Sequence, residues 1–282
     1  MATCGVDVER LRGAPWNDPT FSVPPVVERV PGMLTHDEKR MLYWSTAYAY
    51  EAEGLILDQG AFLGGSAICF AAALRNRGFG SQLIHSYDRF RLGPFERETW
   101  FAEGAPPGDI TRPLYDANLR GFHDLICVHE GDILLQQWRG GAIELLFVDI
   151  AKTAQIWDHV VKTFFPSLIA NRSLLVLQDY LYEQCGPWHH VVMEKLSDHF
   201  SIVGDTGVNS VLFEYHGRLT PGRIEKAAWG RIDPAEKLEL MERAVERMDT
   251  REKRAILAGP RAMLRGELTP LPVTAARGPA TA

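Results

Sequence analysis

From about residue 54 the chain alternates short apolar runs with longer stretches of helical period. Leu55-Ile56-Leu57, 83–87, 125–128, 143–148 and 173–177 read as strands, and 67–76, 153–169 and 188–199 as helices. Most of the runs are apolar at successive positions. They therefore predict strands buried on both faces, as in a parallel sheet with helices on either side. The last two runs, 201–203 and 210–215, are joined only by Gly204-Asp205-Thr206-Gly207 and predict an antiparallel hairpin at the sheet edge. Upstream, the stretch to Pro31 holds five prolines and reads as an irregular arm. Thr35 with Glu38 is a capping-box pattern that starts a helix over 34–53, with Met41, Leu42, Trp44, Ala47 and Tyr48 on its apolar face. Downstream, Asp233-Pro234 starts a charged helix running to about Leu257. Its stripe Leu238, Met241, Val245 and Met248 suits packing or a dimer face. The Pro-, Thr- and Ala-rich residues 267–282 read as disordered. The organisation expected is α/β and doubly wound, with about seven mostly parallel strands and helical additions at both ends. Its parts are 1–53 (arm and helix, a lid or dimer element), 54–217 (catalytic domain), 218–266 (helical extension) and 267–282 (tail).

Composition narrows this picture mainly by exclusion. The 282 residues are 46% hydrophobic and 23% charged, with a formal charge of −6. No apolar run approaches the ~18 residues of a membrane span, and no export signal is recognisable. Cys4, Cys69, Cys127 and Cys185 are scattered and form no CxxC pair, so a reduced, cytoplasmic setting is expected. An acidic chain lacks the basic face of a nucleic-acid binder.

The most informative segment follows the first strand: Asp58-Gln59-Gly60-Ala61-Phe62-Leu63-Gly64-Gly65-Ser66. Glycines between a strand and a helix allow a tight turn and close approach to a ligand, although a plain turn would use them too. Asp58 ends the strand, Ser66 brings a hydroxyl to the helix start, and Asp88 ends the second strand, where a carboxylate can accept bonds from ribose hydroxyls. The spacing is not GxGxxG, which argues against a nicotinamide dinucleotide.

This turn resembles motif I of the class I S-adenosylmethionine-dependent methyltransferases. More narrowly, the chain is similar to small-molecule O-methyltransferases grouped with macrocin O-methyltransferase and, more distantly, catechol O-methyltransferase. The likeness runs from Gly32 to Tyr215 and includes Gly131-Asp132, Asp149, Asp179-Tyr180 and the late hairpin. It implies a Rossmann-like fold, S-adenosylmethionine as cofactor and methylation of a hydroxyl on a small molecule, a sugar or other natural product. It also implies a set of site residues. Gly60, Phe62 and Gly64 would face the amino-acid end of the cofactor, and Asp58 and Ser66 would hold its charged groups. Asp88 would hold the ribose, Asp132 the adenine amino group, and Ile133 the ring. Each of these acids competes with a plain helix-capping role.

Asp149 and Asp179 end the fourth and fifth strands, and as a pair they would suit Mg²⁺; the resemblance also implies Asp149 among the cofactor-binding and catalytic residues. The resemblance departs from its pattern here, because Gln178-Asp179-Tyr180 and Asp149-Ile150-Ala151-Lys152 leave the expected ligand set one carboxylate short. Lys152 stands where catechol O-methyltransferase-like enzymes place a general base, with His189 and His190 as rivals on the same rim. The aromatic-rich segment 89–112 is long enough to be a lid over the acceptor, and Trp16 of the arm is a further candidate lining residue. Two other readings stay open: the same fold with non-methylating chemistry, and a non-catalytic scaffold assembling through its C-terminal helix. A homo-oligomer is expected, with no nucleic-acid or membrane partner.

Overall fold

The computed structural model describes residues 8–217 and 219–268. Seven strands form one sheet in the order β3-β2-β1-β4-β5-β7-β6. They are β1 (Leu55–Gln59), β2 (Ile84–Asp88), β3 (Ile126–Glu130), β4 (Ile143–Val148), β5 (Leu174–Leu181), β6 (Phe200–Asp205) and β7 (Asn209–Tyr215). The first five are mutually parallel, whereas β7 runs antiparallel to both β5 and β6. Every residue of β4 and β5 is buried, as the apolar runs required of central strands. One face of the sheet packs on the Gly65–Asn76 and His36–Trp44 helices through Ile56, Phe147 and Val176. The other packs on the Ala154–Phe164 and Trp188–Lys195 helices through Leu57, Leu146 and Leu175. Strand order reverses between β1 and β4, so a crevice opens beyond their carboxyl ends.

Several elements differ from expectation. The arm is ordered where it is described: helices Val8–Arg12 and Pro25–Arg29 and the 3-10 turn Pro15–Asn17 between them pack Leu11, Val27 and Trp16 into the core. Trp16 does not reach the crevice. Its indole N–H bonds the Asp205 carbonyl at 3.1 Å, and its ring lies where a Cβ on Gly204 would stand 2.6 Å away. The first long helix begins on the predicted capping box but ends at Trp44, passing into a π-helical turn, Ser45–Ala49, closed by Tyr50 N–H on Ser45 O. The C-terminal helix is three helices, Pro234–Arg247, Arg251–Ile256 and Ala258–Leu264. Extended backbone at Met248 ends the first, and the Thr250 side chain caps the second on Lys253 N–H. Lys253 is thereby free to bond Asp205 at 2.6 Å. The apolar stripe is largely used within the chain: Leu240, Met241, Ala244 and Met248 are buried, and only Leu238 stays exposed. The tail expected to be disordered lies almost wholly outside the described residues. No helix among the described residues is long and apolar enough to cross a membrane.

Two buried carboxylates fix the layers. Glu38 completes the capping box with one oxygen, accepting from Thr35 N–H at 2.9 Å. With the other it accepts from Gln178 of β5 (3.2 Å) and the Ser210 hydroxyl of β7 (2.7 Å). Gln178 is therefore turned toward the N-terminal helix and is no substitute metal ligand. Glu144 of β4 pairs with Arg172 at the opposite, amino-terminal edge of the sheet.

Candidate functional site

The crevice is shaped by the turn after β1. Gly60 N–H and Ala61 N–H both reach the Tyr87 carbonyl, at 2.9 and 3.3 Å, which bends the chain sharply as it leaves the sheet. Gly60 has φ +101°, and a Cβ there would stand 2.9 Å from the Asp149 carbonyl oxygen, so only glycine fits. Phe62 takes a positive φ of 45°, held by its N–H bond to Asp88 Oδ2 at 2.9 Å. Asp149 N–H on Gln59 O (2.8 Å) and Gly131 N–H on Asp88 O (2.9 Å) fasten the neighbouring loops.

The result is a cleft of about 260 Å³, with Met33 and Leu34 on one lip and Arg89, Arg91 and Glu96 on another. Of the residues singled out in the sequence, Gly60, Phe62, Ser66, Asp88, Asp132, Ile133, Asp149, Lys152 and Asp179 line it. Five carboxylates face it, those of Asp88, Glu96, Asp132, Asp149 and Asp179, against the three cations Arg89, Arg91 and Lys152. Glu96 Oε2 is buried without a hydrogen-bond partner. Such a wall suits a cationic ligand. Glu96 was not legible in advance: only the length of segment 89–112 marked its neighbourhood. That segment is not a bare loop, since it carries helix Pro94–Trp100 and an Arg91–Ile110 bridge. Trp100 meets the Phe62 ring edge-on at 6.3 Å, whereas Phe90 belongs to the core.

Asp88 accepts two backbone bonds, from Phe62 at 2.9 Å and Phe90 at 2.6 Å. Burial raises its pKa, those two bonds and Arg89 oppose the rise, and the nearby Asp149 charge adds to it. A carboxylate has about four acceptor positions, so two remain for a ligand. Asp132 is exposed and caps the short Ile133–Leu135 turn through Leu134 N–H at 3.0 Å, while the buried Ile133 offers an apolar wall.

Asp58 and Gly64 stand behind the cleft. Gly64, at φ +95°, begins the Gly65–Asn76 helix against Leu119. Asp58 is fully buried and accepts from the Ser66 hydroxyl (2.6 Å) and the Ser86 hydroxyl (2.9 Å). Ser66 therefore donates inward. Burial is the main cause that lifts the Asp58 pKa to about 7; the two serine bonds oppose it, and the charges of Asp88 and Asp149 add to it. Compared with an unfolded aspartate near ~3.9, folded Asp58 keeps a proton that the unfolded chain has released. Its contribution to stability is thus complete below about pH 4 and declines as pH rises to about 7. Asp58→Asn should flatten this dependence by up to roughly 4 kcal/mol across that window in urea unfolding. Equal slopes in variant and wild type would refute the assignment.

At the far end of the cleft, Lys152 Nζ lies 2.5 Å from both Asp149 Oδ1 and Asp179 Oδ2. Asp179 reaches this point because β5 runs on to Leu181 and breaks register with β7 between Leu177 and Leu181, with Asp179 at φ +70°. The lysine ammonium occupies the position between the two acids that a divalent ion would need, so this pair does not fit Mg²⁺.

His189 and His190 do not enter the cleft. The Trp188–Lys195 helix is packed on more than one side and takes both rings into the interior. His189 Nδ1 lies 3.1 Å from Cys185 Sγ, and His190 Nε2 lies 2.8 Å from the Tyr180 carbonyl. Burial pushes their pKa values down to about 3 and about 4, and that of Cys185 up to about 12, which leaves neutral packing groups. The position of the two histidines after the fifth strand suggested the rim, whereas their burial depends on layers packed from distant parts of the chain.

No family model and no curated relative matches this sequence. Solved structures do. The O-methyltransferase NovP is 13% identical, with 74% of this chain and 96% of that chain covered and a TM-score of 0.50. CalS11, a TDP-rhamnose 3'-O-methyltransferase of calicheamicin biosynthesis, is 18% identical over 74% and 93%, at 0.49. The 23S rRNA methyltransferase ErmE is 14% identical over 77% and 95%, at 0.36. At such identities the likeness to NovP is one of fold: the chain has the class I methyltransferase architecture that its motif order implied.

Proposed function

We propose that this chain, a protein of the class I methyltransferase fold, uses S-adenosylmethionine to methylate a hydroxyl of a small molecule. The observation that carries the reading is the cleft at the β1/β4 switch point, with its glycine turn and acid-rich wall. Bound there, S-adenosylmethionine would supply an electrophilic methyl group on a sulfonium centre. Asp88 has acceptor positions for ribose hydroxyls, Asp132 for an amino group, and Ile133 an apolar surface for a flat ring. Gly60 and Phe62 set the backbone that the amino-acid end would meet. Glu96 and the lip Met33-Leu34 line the cleft and Trp100 packs on Phe62, so these residues would partly cover a bound cofactor.

At the acceptor end, Lys152 spends two of its three donors on Asp149 and Asp179. Its remaining N–H can hold the acceptor oxygen, while the Asp149 carboxylate receives the hydroxyl proton. Positioning and proton removal are the main demands that methyl transfer makes on the protein. The natural-product class of acceptor rests on the resemblance of the sequence, with NovP and CalS11 as fold relatives that are O-methyltransferases.

Calorimetric titration should show S-adenosylmethionine binding one-to-one. With an accepted hydroxyl substrate, Lys152→Met should lower turnover on the order of 100-fold while leaving cofactor affinity near the wild-type value. Turnover should not respond to added Mg²⁺. Absence of cofactor binding would refute the whole reading, and strict dependence on Mg²⁺ would refute the role given to Lys152.

A further inference from the structure

The parallel register of β2 and β3 sets His85 opposite Cys127 and Tyr87 opposite His129. Side chains two apart on a strand share a face, so the four stand together at the edge of the sheet on the side of the Ala154–Phe164 helix. His85 Nδ1 and His129 Nε2 are 2.8 Å apart, and the two rings are stacked at 5.1 Å. The ligand atoms of His85, Cys127 and His129 all lie within 4.8 Å of one another. None of the three lines the cofactor cleft, and the proposed methyl transfer uses none of them.

We propose that His85, Cys127 and His129 form a site for a zinc ion. The donor set is two imidazoles and one thiolate, which selects borderline or soft ions over Mg²⁺ and Ca²⁺. Zinc bonds of about 2.0–2.3 Å keep tetrahedral donors roughly 3.3–3.8 Å apart, so shifts of about 1 Å would close the shell. Water supplies the fourth ligand, as in three-residue zinc sites.

The 2.8 Å contact between the two ring nitrogens needs one of them to accept, so at least one ring is in the neutral form that ligates. One of them now donates its N–H to the other. On zinc binding that ring moves its proton to the opposite nitrogen, and Cys127 releases its thiol proton as it becomes a thiolate ligand. The rings are already oriented by their neighbours. Tyr87 stacks on His129 at 4.3 Å, and Trp138 meets His85 edge-on at 5.1 Å. Such outer contacts hold ligands in place. The three residues are only half-buried, and β3 is the edge strand, so an ion can reach them. A zinc ion here would clip β3 to β2, the strands that lead to Asp132 and Asp88.

The test uses the reduced, full-length protein stripped of metal and titrated with Zn²⁺ in competition with a chromophoric chelator, with Co²⁺ as the spectroscopic stand-in. One zinc should bind with sub-micromolar affinity, and Co²⁺ should give a thiolate-to-metal charge-transfer band. Cys127→Ser should abolish that band, and both Cys127→Ser and His129→Gln should weaken zinc binding on the order of 100-fold or more. Cys185→Ser, a buried cysteine elsewhere, should change neither. Circular dichroism of the metal-free variants checks that each folds. The proposal is overturned if the wild type fails to bind zinc one-to-one, or if Cys127→Ser and His129→Gln bind it as the wild type does.

Discussion

Glu144→Ala should destabilise the protein by about 3–5 kcal/mol, the cost of leaving a buried charge without its partner. The Glu144 and Arg172 side chains are only 2% and 5% exposed. Arg172 Nε donates to Glu144 Oε1 at 2.8 Å, and Arg172 also bonds the Ala49 carbonyl. The same carboxylate accepts the backbone N–H groups of Glu51 and Glu53, both at 2.6 Å, and of Gly54 at 3.1 Å. Alanine would strand the guanidinium and three amides in the stretch that delivers the chain into β1. For a chain of this size the loss corresponds to roughly 5–8 °C in Tm. Arg172→Ala should behave alike, and the double variant should cost clearly less than the sum of the two. Urea unfolding of the four proteins measures the coupling; full additivity would show that the pair is not the organising contact described.

The second large effect falls on the cleft. Asp88→Ala should weaken S-adenosylmethionine binding on the order of 100-fold, as expected when hydrogen bonds to a charged acceptor are lost. Asp88 acts twice, because its oxygens also hold the Phe62 and Phe90 amides and with them the positive φ of Phe62. Asp88→Asn separates the roles. It keeps one carbonyl acceptor and should lose less affinity than alanine, with a smaller fall in Tm. Calorimetry on both variants reads the effect directly, and undiminished binding by Asp88→Ala would remove this carboxylate from the cofactor site.

Much of this arrangement was legible where the signal is local. Strands such as Ile143–Val148 are apolar on both faces, and the Thr35/Glu38 capping box announces its helix within four residues. Asp88, Asp149 and Asp179 could be placed on one rim because strand ends in a parallel sheet share an edge. What escaped notice depends on distance in the chain. The partners of Gln178, the inward turn of Asp58 and the burial of His189 and His190 are set by packing layers that no short window contains. The break after Arg247 is set by Thr250 and by a salt bridge from Lys253 to Asp205, 48 residues away. His85, Cys127 and His129 look unremarkable until the β2–β3 register places them side by side.

The Glu38 carboxylate has a consequence for the order in which the molecule can assemble. Its buried oxygen is satisfied in part by Ser210, 172 residues further along the chain. The helix that starts at His36 therefore cannot be fully seated until β7 has been synthesised and threaded between β5 and β6. Met33 and Leu34, which immediately precede that helix, form a lip of the cleft. An early-made wall of the site is thus locked late, and a nascent chain acquires a finished ligand cleft only once β7 has been made.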